Sequence, residues 1–208
     1  MNVREVQILS KLRLEKWHGA LAEFHKLTAK TPSEEFQQIA WPDLLDAVDF
    51  SKPKTLAHKK MAKAFIPCLL KGDKVRSPDN VTQANWLAID IDAMDEKSFY
   101  AGLAKLREDN VTFAWYSTFS QERPHQKGMD VRLLVPIDIA LGSQAYAEAV
   151  SGLGAWYFNQ PFKAALSQQQ AVRVIQETKH YFRVHVEPEN YQGGVISAEF
   201  LISGVAHV

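Results

Sequence analysis

A strand–helix–strand–loop–strand succession in the middle of the chain predicts an α/β or α+β domain built on a mixed sheet, with a helical lead-in ahead of it. Three observations carry this expectation. Asn85–Asp92 is apolar up to Asp90 and then alternates, as a buried strand does when it emerges from a core. Glu96–Glu108 places Phe99, Leu103 and Leu106 on one side of an amphipathic helix. Val111–Thr118 and Val131–Ile137 are rich in β-branched and aromatic residues, and the polar loop SQERPHQKGMD between them suggests a hairpin.

The remaining elements follow in order. Val6, Leu9, Leu12, Leu14, Trp17, Leu21 and Phe24 recur mostly every three or four residues, which predicts helix over the first ~30 positions. Thr31-Pro32-Ser33-Glu34-Glu35 and Trp41-Pro42-Asp43 read as further helix starts. The chain therefore divides into a helical segment over 1–50 and an α+β core over 51–208. Downstream, Ser143–Tyr157 carries Tyr146, Val150 and Leu153 on a helical stripe. Gln169–Ile175, Tyr181–Val186 and Val195–Leu201 read as short strands.

Composition narrows the function classes. The 208 residues are 46% hydrophobic and 23% charged, with 24 basic residues against 24 acidic ones, which argues against a supercharged nucleic-acid binder. A local basic face can still hide in a neutral total. Lys52–Arg76 is such a stretch, with eight basic residues and a single acid. Clustered cations of this kind suit a polyanion, because each one displaces condensed counterions; the plainer alternative is a solvated face. The single cysteine, Cys68, flanked by Pro67 and two leucines, fits a core position in a reducing compartment. No run approaches a membrane span and no signal-peptide core is evident, so a cytoplasmic protein with no membrane role is expected. The seven histidines lack zinc-hydrolase spacing, and neither a dinucleotide-binding nor a P-loop glycine pattern is present.

The chemistry concentrates in Asp90-Ile91-Asp92. Residues two apart on a strand share a face, so two carboxylates are expected side by side, where a divalent cation relieves their repulsion. Hard carboxylate oxygens suit Mg²⁺ or Mn²⁺ completed by substrate phosphates. The plain alternative is a pair of solvated acids at a strand end. Ser117, Thr118 and Ser120 close the next strand with hydroxyls that can hold a phosphate, and Arg123, His125 and Lys127 follow in the loop. Arg132, inside an apolar strand, requires an anionic partner.

The ordered set Asp90-x-Asp92, Ser117-Thr118-Phe119-Ser120 and Arg132-Leu133-Leu134-Val135-Pro136 resembles the catalytic core of the archaeo-eukaryotic primase superfamily, in its phage and plasmid primase–polymerase branch. The resemblance spans about residues 60–140 and weakens towards 190. It implies an RRM-like mixed sheet packed on helices and a primase/polymerase-type nucleotidyltransferase of a replication protein. Asp90 and Asp92 would hold Mg²⁺ or Mn²⁺, and Ser117, Thr118, Ser120, His125 and Arg132 would face the nucleoside triphosphate. Lys59, Lys60, Lys63, Lys71, Lys74 and Arg76 would meet a single-stranded DNA template, and a replicative helicase is an expected partner. Two departures stand out. Gln121 occupies the place of the family's nucleotide-binding histidine, with His125 the nearest imidazole. The family's third carboxylate, usually an aspartate on a later strand, has only Glu148, Glu177, Glu187, Glu189 and Glu199 as candidates after Asp138. The alternative is thus a catalytically degenerate module that binds single-stranded nucleic acid or a replication partner.

Overall fold

In the computed structural model, the described residues are 8–9, 18–23, 37–40, 63–71, 77–117, 128–162, 171, 175–176 and 189–203, with backbone alone for 8–9, 18–23, 37–40, 63–65 and 175–176. The apolar run read from Asn85 forms the middle of a long strand, β6 (Val81–Met94). Before it lie β1 (Ile8–Leu9), β2 (His18–Glu23), β3 (Gln37–Ala40), β4 (Lys63–Ile66) and β5 (Cys68–Leu70). Then come α1 (Glu96–Glu108), β7 (Phe113–Ser117), β8 (Met129–Leu141), α2 (Ser143–Phe158), β9 (Ile175–Gln176), β10 (Glu189–Tyr191), β11 (Val195–Ile196) and α3 (Ala198–Ser203).

The architecture is α+β. A seven-stranded sheet runs β1-β11-β8-β6-β5, with β7 also paired to β8 and β10 beyond β7; a second sheet runs β3-β2-β4-β9. β6 and β7 both lie antiparallel to β8, so β6-α1-β7 is a split β-α-β unit with β8 inserted between its strands. β11 joins β8 in parallel, which makes the larger sheet mixed, as expected.

Helices cover one face of that sheet. Leu87, Ile89 and Ile91 of β6, Leu133 and Val135 of β8, and Phe113 and Trp115 of β7 share a buried cluster with Phe99, Leu103 and Leu106 of α1 and Tyr146, Val150 and Leu153 of α2. Each such side chain removed from water contributes about 1.5–3 kcal/mol. Phe99 stands edge-on to Trp115 at 5.1 Å, which fixes α1 over β7. α1 and α2 approach closely at Gly102, where a Cβ would lie 2.3 Å from the Phe158 ring. The opposite face is buried as well: Trp86, Ala88, Ala114, Tyr116 and Leu134 are all enclosed, and β2 packs against β5 and β6. Strands covered on both faces read as near-continuous apolar runs, which is how Asn85–Ile89 and Val131–Ile137 appear in the sequence.

Two expectations are corrected. The described stretches of the first 50 residues, 8–9, 18–23 and 37–40, are strands rather than helix. His18–Glu23 pairs with both β3 and β4, and this backbone pairing overrides a short helical periodicity. The expected helix starts at Thr31 and Trp41 lie outside the described residues. Val195–Leu201 is strand only to Ile196 and then turns into α3. Asp138 accepts a hydrogen bond from the Ala198 N–H at 2.7 Å, satisfying a donor that opens the helix. Cys68 is buried, as expected. Among the described residues no helix is long and apolar enough to cross a membrane.

Candidate functional site

Strand register brings the central pair together. Asp90 of β6 stands opposite Arg132 of β8, and Arg132 stands opposite Tyr116 of β7. Cross-strand partners share a face, so these three form one row. Arg132 Nη1 and Asp90 Oδ1 form an ion pair, with the two side chains only 10% and 8% exposed. The anion that Arg132 required is therefore Asp90. In so enclosed a place the pair interacts far more strongly than it would in water.

Asp92 is different: it is exposed. Between the Ile91–Val131 and Met94–Met129 pairs, β6 advances three residues while β8 advances two, so β6 carries a one-residue bulge. Ala93 sits in this bulge with φ +55, a left-handed conformation that costs a residue with a side chain about 1–2 kcal/mol. Two features hold it there. The Ala93 N–H donates to Asp130 Oδ1 at 2.7 Å. Gly128, at φ +102, lies so close beneath that a Cβ would fall 2.6 Å from the Met94 carbonyl oxygen. Asp130 is a site residue that sequence reading missed, because it was absorbed into the end of a polar loop. Its signal was the Asp130-x-Arg132 spacing, which alternation repeats on the strand facing Asp90-x-Asp92.

The row ends at a groove of about 710 Å³ bordered by Asp90, Asp92, Asp95, Asn159, Gln160 and Phe162. Beyond the Cys68–Ala84 pair, where the pairing with β5 ends, β6 has no strand on this side among the described residues; the Ala88 N–H there donates to the Tyr146 hydroxyl at 2.8 Å. Asp95 caps α1 by accepting from the Ser98 N–H at 2.8 Å and the Ser98 hydroxyl at 3.0 Å. Those two bonds, the backbone one foremost, hold its carboxyl below the ordinary carboxylate range.

The other expected site residues are dispersed. Ser117 pairs with Val131, and alternation puts it on the helix-covered side with Trp115, across the sheet from the Asp90–Arg132 row. Thr118, Ser120, Gln121 and His125 lie outside the described residues, as do Lys59, Lys60, Lys74 and Arg76. Lys63 falls on β4. Lys71 is exposed and its Nζ donates to the Asp79 carbonyl at 3.0 Å. Of the candidate third carboxylates, Glu148 accepts from Gln144 Nε2 along α2, and Glu199 lies on α3. Glu189 is held by both Arg107 nitrogens Nε and Nη2 and by Trp115 Nε1, an arrangement that ties β10 to α1. The Glu189 hydrogen bond pushes the Arg107 guanidinium further up from its already high value. Glu177 and Glu187 lie outside the described residues. Among the described residues, no three His, Cys, Asp or Glu side chains are grouped to hold a metal ion. Asp92 and Asp90 nonetheless offer hard oxygens, a donor set that fits a divalent cation bound through one or two carboxylates and completed by substrate oxygens.

No family model matches the chain, and no curated protein matches it. Among solved structures it is similar to the AEP domain of the cyanophage S-2L primase–polymerase. The TM-score is 0.44 and the sequence identity 12%, with 89% of this chain and 86% of that chain covered.

Proposed function

We propose that the chain is a primase–polymerase-type nucleotidyltransferase module whose reacting centre is the ledge formed by Asp90, Asp92 and Arg132. The observation that carries this reading is the pairing of Asp90 with Arg132 in strand register, next to an exposed Asp92 at the mouth of a groove. Asp92, with Asp90 behind it, would hold Mg²⁺ or Mn²⁺, and the cation when bound supplies neutralisation of phosphate charge. Arg132 is anchored by Asp90, so its guanidinium is oriented before any substrate arrives and needs little reorganisation. The enclosure of both side chains excludes water from the inner end of the ledge. Thr118, Ser120 and His125 serve the nucleoside triphosphate in this reading, Ser117 lying on the other side of the sheet, and the basic stretch from Lys59 to Arg76 guides a single-stranded DNA template.

A second reading is favoured by the same ion pair: Asp90 is already balanced by Arg132, and Gln121 replaces the family's histidine. On that reading the module binds single-stranded nucleic acid without catalysis. Primer synthesis or extension on single-stranded DNA with Mg²⁺ or Mn²⁺ separates the two. Synthesis that disappears in Asp90→Ala/Asp92→Ala supports the enzyme. Template binding without synthesis, or synthesis untouched by the double substitution, contradicts it.

A further inference from the structure

We infer that Asp130 is a positioning residue that fixes the backbone beside Asp92 by holding the β6 bulge that follows it; the inference rests on the proposed role of Asp92 in cation binding. Alternation along β6 turns Asp90 and Asp92 to the same face, opposite to that of Ile91. The extra residue between Ile91 and Met94 interrupts the β6–β8 pairing directly beside Asp92, which is exposed while Asp90 is enclosed. The bulge is not left to itself. Ala93 adopts φ +55 without being glycine, so the surroundings must impose that conformation. The carboxylate of Asp130 supplies the constraint from β8. It is 1% exposed, and its Oδ1 accepts from the Ala93 N–H at 2.7 Å. Gly128 completes the clamp, because its positive φ and missing side chain let the chain pass directly against the Ala93 and Met94 carbonyls. What Asp130 contributes is an acceptor oxygen at a fixed place, so its charge towards a cation is not the property that matters. An amide oxygen at the same position suffices.

The test compares Asp130→Asn, which keeps a carbonyl acceptor, with Asp130→Ala, which removes it. Mn²⁺ affinity is read by the electron paramagnetic resonance of free Mn²⁺, alongside thermal unfolding and amide hydrogen exchange at Ala93. The expected result is affinity retained within about threefold in Asp130→Asn and weakened at least about tenfold in Asp130→Ala, the range for residues that orient a ligand. The Ala93 amide should exchange faster in Asp130→Ala only. Equal losses in the two variants would make Asp130 a ligand through its charge and overturn the inference, as would wild-type affinity in Asp130→Ala. Wild-type protein without saturable Mn²⁺ uptake, or uptake indifferent to Asp92→Ala, would instead sink the proposed cation site. The Ala93 exchange rates then decide the positioning role alone: faster exchange in Asp130→Ala supports it, and unchanged exchange refutes it. Should Asp130→Ala fail to fold, Asp130→Asn decides. Retained affinity with a protected Ala93 amide upholds the inference, and loss of either overturns it.

Discussion

An arginine within the apolar run Val131–Ile137 has to be neutralised, and this much is legible in the sequence. Its partner is not, because strand register is a long-range property that no local pattern encodes. The structure supplies Asp90. Removing one member of such an enclosed pair strands the other charge, at a cost of about 3–5 kcal/mol. Arg132→Met is therefore expected to lower stability by that amount in urea unfolding. Asp90→Ala/Arg132→Met should recover more than half of the loss; a double variant no better than the single would mean that the two groups are not coupled. Asp92 teaches a different lesson. The spacing D-x-D implies two carboxylates side by side, but Asp90 is enclosed with Arg132 and Asp92 is exposed, and beside Asp92 lies a bulge that local spacing does not reveal. Its traces in the sequence are a glycine and an aspartate at 128 and 130, and neither carries a motif.

At the scale of elements, α1 was legible to its ends. Asp95 before a run with Phe99, Leu103 and Leu106 at helical spacing, and Lys105 and Arg107 in the last turn, are local signals that tertiary structure left intact. The cap also sets a pH dependence. A carboxyl held below its ordinary value near 3.8 adds stability that is full above that value and fades as the pH falls through the lower folded value. Asp95→Ala is accordingly expected to be less stable than the parent at pH 7, with the gap closing below pH 3.8. Chemical denaturation across that range checks it, and a gap independent of pH would mean that the carboxylate is not the capping group. The N-terminal strands were illegible for the opposite reason. Leu21 fits a helical stripe with Trp17 and Phe24, and only the partners β3 and β4, distant in sequence, draw His18–Glu23 into a sheet.

Across the whole molecule, the central sheet is enclosed on both faces, by α1 and α2 on one side and with β2 packed against β5 and β6 on the other. Asp90 and Arg132 sit at the inner end of this enclosure, and Asp92 lies at its outer limit, exposed to solvent. The α+β class followed from element order alone, whereas the double burial needed the second sheet, whose strands come from both ends of the chain. On the proposed reading such a layout gives the two aspartates unequal roles, with Asp92 the group that would meet the cation. Calorimetric titration of a nucleoside triphosphate into the full chain, with and without Mn²⁺, tests this most directly. The account predicts saturable binding that requires Mn²⁺ and weakens at least about tenfold in Asp92→Ala, with the melting temperature unchanged. Binding of equal strength without the metal, or in the Asp92→Ala protein, would contradict it.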